Sequence, residues 1–408
     1  MPSPTTITFL ALGTPTGLKF AVAHGGHRAL FEFGREHAPG ASPFAQGIEP
    51  RPGRELADLL AVGVAPRVEG VYDGVDGRTS MFLSHLHLDH TGLVRHVHPD
   101  LPLYYPAAME PLRAAAAASG QVPWREPAGT PLPDRGRVAV GEVEVELVAV
   151  DHDVPGAAGF VIRAPDVTIA YTGDNRRHGL HPELTGAYAR AARGADVLIQ
   201  EGVSLGWDGE RECPSEADVH ASFEEALAAC AGLAVVNVYP MNRERVAAFG
   251  EACRRQGRAL LMSPPDARTA GWPDVLDPDA VARARQDPVR HCVQLGFHAL
   301  PALIDLAPPP GSLYVHSDGA PLGPFDPAYP VMRAWCAALG LRFVALSSSG
   351  HARPADVDLM VREIAPRVVL PVHTTAPDRL DVAGVPRVLV EPLRPYTPGD
   401  LLRAATAV

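Results

Sequence analysis

Short apolar runs alternate with amphipathic stretches through the first half of the chain. Residues 7–12, 29–33, 80–83, 143–150 and 167–171 read as strands, while 106–119, stopped by Gly120, and 183–193 carry the 3.6-residue period of helices. Val143, Val145 and Leu147 alternate with Glu144 and Glu146. One face of that strand is therefore expected to meet water, which predicts a mixed rather than wholly parallel sheet. From about Gly202 a second α/β pattern begins, with helices at 215–231 and 243–256 and strands at 235–239 and 259–262. Residues 264–288 read as a low-order stretch, and Pro308-Pro309-Pro310-Gly311 marks a loop or hinge. Strand 312–316, helix 331–339, strand 342–346, helix 355–364 and strand 368–372 complete an alternating α/β chain without repeats.

Composition narrows the class. The chain has 408 residues, 46% hydrophobic and 20% charged, enough for one large or two ordinary soluble domains and unlike a disordered or disulfide-stapled scaffold. Lys and Arg number 36 against 47 Asp and Glu, and the net charge of -11 leaves no global field for a polyanion. The five cysteines, Cys213, Cys230, Cys253, Cys292 and Cys336, show no Cys-x-x-Cys spacing, as expected for reduced thiols rather than a cysteine zinc cluster. The apolar run near the N-terminus spans about seven residues, too short for a signal or a membrane span. A cytoplasmic protein without a membrane partner is expected.

The chemistry concentrates in Ser84-His85-Leu86-His87-Leu88-Asp89-His90, directly after strand 80–83. Three imidazoles and a carboxylate within six residues, in a loop leaving a strand, can converge on two cations. His152, Asp174 and His373 each follow the end of a predicted strand, where open α/β sheets place their sites. Together they complete the ligand count of a two-metal centre. The other histidines, His24, His27, His37, His96, His98, His178, His181, His220, His291, His298 and His316, lack ligand spacing and read as structural. Arg243, Arg245, Arg254, Arg255 and Arg258 read as a solvated helix face rather than an RNA track.

The order His-x-His-x-Asp-His, His, Asp, His resembles the metallo-β-lactamase superfamily. That resemblance implies an αββα sandwich in which His85, His87 and His152 hold one metal, Asp89, His90 and His373 the other, and Asp174 bridges them. Glu32 stands at the family's early acidic motif, where it would support the ligand loop. Asp174 and His373 lie about two hundred residues apart, so the second α/β unit reads as an insertion. This is similar to the β-CASP branch, which includes RNase J and the cleavage and polyadenylation endonuclease. The expected organisation is a metallo-β-lactamase domain in two parts, residues 1–201 and 347–408, with a β-CASP-like α/β cap at 202–346.

By the same resemblance, Leu198-Ile199-Gln200-Glu201 is the strand before the cap, and Ser348-Ser349-Gly350-His351 with Pro371-Val372-His373 closes the site. His351 would be the general acid, Glu201 its carboxylate partner, and Asp89 both ligand and catalytic residue. Ser349 and Ser317, the latter in the loop from Ser317-Asp318-Gly319 to Gly323-Pro324, would contact substrate. The implied cofactor is a pair of Zn2+ ions, with Mn2+ compatible with the same donors. The implied activity is phosphodiester hydrolysis, on RNA or a small phosphodiester, by metal-activated hydroxide. The alternative is a small-molecule hydrolase of an ester, lactone, amide or nucleotide, with the cap as a lid; either is compatible with a homodimer. Two departures bear on the choice. Ser347 stands where RNase J-like proteins have a second histidine, and the cap holds about five more acidic than basic residues, unfavourable for RNA binding.

Overall fold

The computed structural model describes residues 4–13, 17–35, 42–44, 48–207 and 213–406. His37 lies outside them. A seven-stranded sheet runs in the order Pro395–Tyr396, Thr6–Gly13, Gly17–His24, His27–Phe31, Thr79–Phe82, Leu103–Pro106, Thr130–Leu132. A six-stranded sheet runs Val368–Val372, Val197–Glu201, Val167–Tyr171, Ala158–Ala164, Val143–Ala149, Arg137–Val140. The second sheet is mixed, as the alternation at 143–147 predicts. Val143–Ala149 is antiparallel to both neighbours, whereas Val167–Tyr171, Val197–Glu201 and Val368–Val372 run parallel.

Period-two side-chain alternation builds the layers. Phe20, Val22, Phe31 and Phe82 point from the first sheet into a core shared with Val145, Leu147, Phe160, Ile162, Tyr171, Ile199 and Leu370 of the second. Their sequence neighbours Ala21, Leu30, Met81 and Leu83 are buried on the opposite face, with Leu112 and Ala116 of helix Glu110–Ala118. Helices Pro182–Ala191 and Pro354–Ile364 cover the outer face of the second sheet. The result is helix, sheet, sheet, helix.

Between Val197–Glu201 and Val368–Val372 the chain forms a third sheet of five parallel strands, in the order Ala259–Leu261, His291–Gln294, Ala234–Val238, Leu313–Ser317, Arg342–Ala345. Its central strands are apolar on both faces because helices cover both. Val236 and Val238 meet Phe223 and Phe249 on one side, and Val235 meets Ala280 and Met332 on the other.

Two expectations are corrected. Residues 264–288 are not low in order, since they contain helices Pro264–Ala270 and Pro278–Gln286. Pro264, Pro265 and Pro278 sit in the first turns of these helices, where no backbone N–H is needed. Ser263 and Asp277 cap these helices by accepting from the amides of Asp266 and Ala280. The arginine face is not uniformly solvated either. Arg254 and Arg255 pair with surface carboxylates, but Arg258 is buried against backbone carbonyls and Arg245 is completely buried.

Candidate metal centre

Each ligand candidate leaves the end of a strand. His85 and His87 occupy the loop after Thr79–Phe82 and Asp89 and His90 the short helix Leu88–Thr91 that follows it, while His152 follows Val143–Ala149, Asp174 follows Val167–Tyr171, and His373 follows Val368–Val372. Close backbone approaches hold these turns in place. A Cβ on Gly34 would lie 1.4 Å from the Asp89 carbonyl oxygen, so only glycine lets that strand end reach the ligand loop. His373 itself has a φ of 53°, and its amide donates to the Leu12 carbonyl at 2.6 Å.

Two groups form, and they share one carboxylate. His85, His87, His152 and Asp174 bring one donor atom each within 4.8 Å of one another, and so do Asp89, His90, Asp174 and His373. Within the first, His87 Nδ1 stands 3.1 Å from both His85 Nε2 and His152 Nε2. Within the second, His90 Nε2 is 3.2 Å from Asp174 Oδ2, and His373 Nε2 is 3.1 Å from Asp89 Oδ2. Four donors at about 2.0–2.1 Å from a tetrahedral cation stand roughly 3.3 Å apart, so these spacings fit. Both ring nitrogens of His90 and Oδ2 of Asp174 are buried without hydrogen-bond partners, a cost that a cation between them would remove.

Neighbours orient the rings. His152 Nδ1 donates to the Gly350 carbonyl at 2.6 Å, leaving Nε2 as the free lone pair, and Ser84 Oγ meets His85 Nδ1 at 2.8 Å. Glu32, wholly buried, accepts from the Ser84 amide and lies 3.5 Å from His90 Nδ1. Burial first, then neighbouring imidazoles, holds His85 well below its ordinary value and His152 at about 3, so both rings are neutral and able to ligate. For His90 and His373 burial acts in the same direction, but Asp174 and Asp89 outweigh it, keeping His90 well above the ordinary value and His373 at about 10. Asp89 and Asp174 are correspondingly held well below the carboxylate range, against burial, by the same imidazoles.

His351 Nδ1 lies 3.6 Å from both Asp174 Oδ2 and Glu201 Oε2. Burial alone would lower this histidine, but the two carboxylates raise it. Glu201 is completely buried and fixed by the amides of Val203 and Ala352. Ser349 Oγ accepts from the His351 amide at 3.1 Å, so it shapes the turn that carries the imidazole. The expectation that Ser317 contacts substrate is corrected: its hydroxyl is completely buried, 3.3 Å from Arg245 Nη1.

The sequence reading missed two features. Asp153 turns a buried, unpartnered Oδ1 toward the first group, 3.2 Å from His152 Nε2 and 3.4 Å from His87 Nε2. Its place next to His152 was the available signal. The second feature is a buried ion network behind the His351 loop. Glu216 accepts from Arg245 at 2.6 and 2.8 Å and from Arg176 at 2.9 Å, and Arg245 also pairs with Asp318 and donates to the Ser348 carbonyl. Nothing in the sequence distinguishes Arg245 from its exposed helix neighbours.

Residues 56–241 match the beta-lactamase superfamily domain, and the layered fold and the paired His/Asp groups agree with that match. Among curated proteins the chain is similar to ribonuclease J of Mycolicibacterium smegmatis, at 22% identity over 346 residues covering 76% of this chain and 61% of that one. Ribonuclease J of Sinorhizobium meliloti matches at 28% identity over 194 residues, 45% of this chain and 33% of the relative. The chain therefore spans only part of these relatives. Among solved structures, a protein of unknown function from Enterococcus faecalis V583 superposes with a TM-score of 0.83 at 28% identity, covering 97% of this chain and all of the other. Among the described residues no helix is long and apolar enough to cross a membrane.

Proposed function

We propose that the chain is a two-cation hydrolase of phosphodiester bonds, in RNA or a nucleotide. In this reading a β-CASP-like cap of residues 202–346 faces a metal-binding unit of residues 1–201 and 347–408. The observation that carries it is the sharing of Asp174 by two ligand groups with His351 beside that same carboxylate. His85, His87 and His152 would hold one cation and Asp89, His90 and His373 the other. Imidazole and carboxylate donors suit zinc and also accept manganese. Two such ions supply a water-derived nucleophile at neutral pH and offset charge on the attacked oxygen.

The chain's own residues do the rest. With Nδ1 turned toward Glu201 and Asp174, the His351 imidazole holds its second ring proton for the departing oxygen. Glu201, locked by two backbone amides, keeps that ring oriented and its charged form favoured. The reading places this chemistry in the cytoplasm and admits a homodimer.

One observation favours the second reading, a small-molecule hydrolase. Arg176 and Arg245 behind the His351 loop are completely buried and paired with carboxylates, so neither offers a free guanidinium to a polyanion. A substrate panel on zinc- or manganese-loaded protein decides: single-stranded RNA, bis(p-nitrophenyl) phosphate, a carboxylic ester and a lactone. The expected outcome is phosphodiester cleavage that His351→Ala slows by roughly 10²–10⁴-fold with metal content unchanged. Turnover of the ester or lactone alone would replace this reading by the second.

A further inference from the structure

Cys213, Pro214 and Ser215 lead into helix Glu216–Ala228, and Cys213 is half-buried whereas the other four cysteines are buried. Its Sγ lies 3.4 Å from His178 Nε2. The far nitrogen of that ring, Nδ1, is buried without a hydrogen-bond partner and faces Asp356 Oδ2 at 4.0 Å, from the first turn of helix Pro354–Ile364. Sulfur, imidazole and carboxylate thus follow one another, with the imidazole placed to support a negative charge on sulfur. The position of the ring proton makes the ring a donor toward the sulfur, the partner of a thiolate rather than a base for a thiol. His178 Nε2 is 2.9 Å from the Ser349 carbonyl, which can only accept, so Nε2 carries a proton that the adjacent sulfur can share.

We propose that Cys213 is a covalent-modification site, a thiolate held by the His178 imidazolium with Asp356 behind it, that reacts with small electrophiles and hydroperoxides. Alkylation joins Sγ to the electrophilic carbon, and the leaving group departs with its bonding pair. With a hydroperoxide, Sγ takes the terminal oxygen and becomes a sulfenate; the sulfur is oxidised, the peroxide is reduced to an alcohol or water, and its proton ends on that product.

The surrounding charges point the same way. Burial alone would raise the thiol, but His178 and Arg353 outweigh it and bring Cys213 below its ordinary value. Burial would lower His178, but Asp356 and Cys213 lift it to about 9. Arg353 donates twice to the Cys213 carbonyl, and Arg176 reaches the Ser349 carbonyl at 3.5 Å. The site therefore lies against the backbone of the loop that carries His351, yet it uses none of the metal-ligand candidates and stands independently of the proposed hydrolysis.

The test is iodoacetamide alkylation of the full chain at pH 6.5 and pH 8, with the modified residue located by mass spectrometry and Cys213→Ser as the assignment control. A free thiol with the usual pKa of about 8.5 reacts about 25-fold faster at pH 8 than at pH 6.5, in proportion to its thiolate fraction. The expected result for Cys213 is a change of less than about threefold over that interval, and a rate at pH 6.5 several-fold above that of glutathione. In His178→Gln the steep profile of an ordinary thiol should return. A wild-type profile as steep as that of glutathione overturns the proposal, whether or not the variant folds. So does a flat profile that persists in folded His178→Gln.

Discussion

Replacing Glu216 by Gln removes the charge at the centre of the buried network while keeping its shape. The carboxylate is completely buried and receives three guanidinium hydrogen bonds of 2.6–2.9 Å, two from Arg245 and one from Arg176. Breaking a buried pair by deleting one partner costs about 3–5 kcal/mol, because the other charge stays buried without its counter-ion. Arg245 keeps Asp318, and Asp151 stands 3.6 Å from Arg176 Nε, so the lower end, about 3 kcal/mol, is expected. At about 2–4 °C per kcal/mol for a unit of 150–250 residues, Tm should fall by roughly 6–12 °C in thermal unfolding followed by circular dichroism. The sign with pH is also determined. Burial would raise the Glu216 carboxyl, but Arg245, His220 and Arg176 hold it far below the carboxylate range. Its folded-state pKa is depressed, so its contribution is complete above the unfolded value of about 4.3 and is lost only as pH falls below that. Wild type and variant should therefore differ by a constant amount from pH 5 to 8 and converge in acid. A variant within about 0.5 kcal/mol of wild type at pH 7 would refute the buried-pair argument.

Gly34→Ala should cost about 3 kcal/mol or more and lower metal loading, since the new methyl meets the Asp89 backbone. Gly186→Ala, in helix Pro182–Ala191 with its nearest neighbour a flexible arginine tip at 3.5 Å, should instead gain up to about 1 kcal/mol. Asp174→Ala should lose one or both cations by elemental analysis, because both ligand groups use that carboxylate; full occupancy would contradict the shared-ligand geometry. Asp153→Asn should weaken cation binding by roughly 10–100-fold in a titration of the metal-free protein, since it removes a buried negative oxygen beside His152 and His87; unchanged affinity would make Asp153 a bystander.

Much of this was legible along the chain because its signals are local. Strand Val167–Tyr171 and strand Val368–Val372 stand where the apolar runs place them, and the ligand candidates follow strand ends by one to eight residues. Strands Gly17–His24 and Ala158–Ala164 were not legible, because glycine, lysine or arginine interrupts their apolar pattern and only sheet pairing decides them. The proline-rich stretch at 264–288 misled for a related reason: proline breaks a helix in its interior but not in its first turn, and which applies depends on the caps around it.

Spacing and strand ends alone pointed to seven metal-ligand candidates, since a His-x-His-x-Asp-His run has few other uses. What the tertiary structure decided was the state of groups whose partners lie far away in sequence. Arg245 is an ordinary helix arginine until Glu216, Asp318 and the Ser348 carbonyl close around it. Ser317 reads as a substrate contact until that same arginine is seen against its hydroxyl. Cys213 and His178, 35 residues apart, become a pair only when the turn before helix Glu216–Ala228 packs beside the loop carrying His351. Sequence spacing reports which groups one turn can bring together; burial and charge pairing depend on every element packed against them, and only the folded chain supplies that.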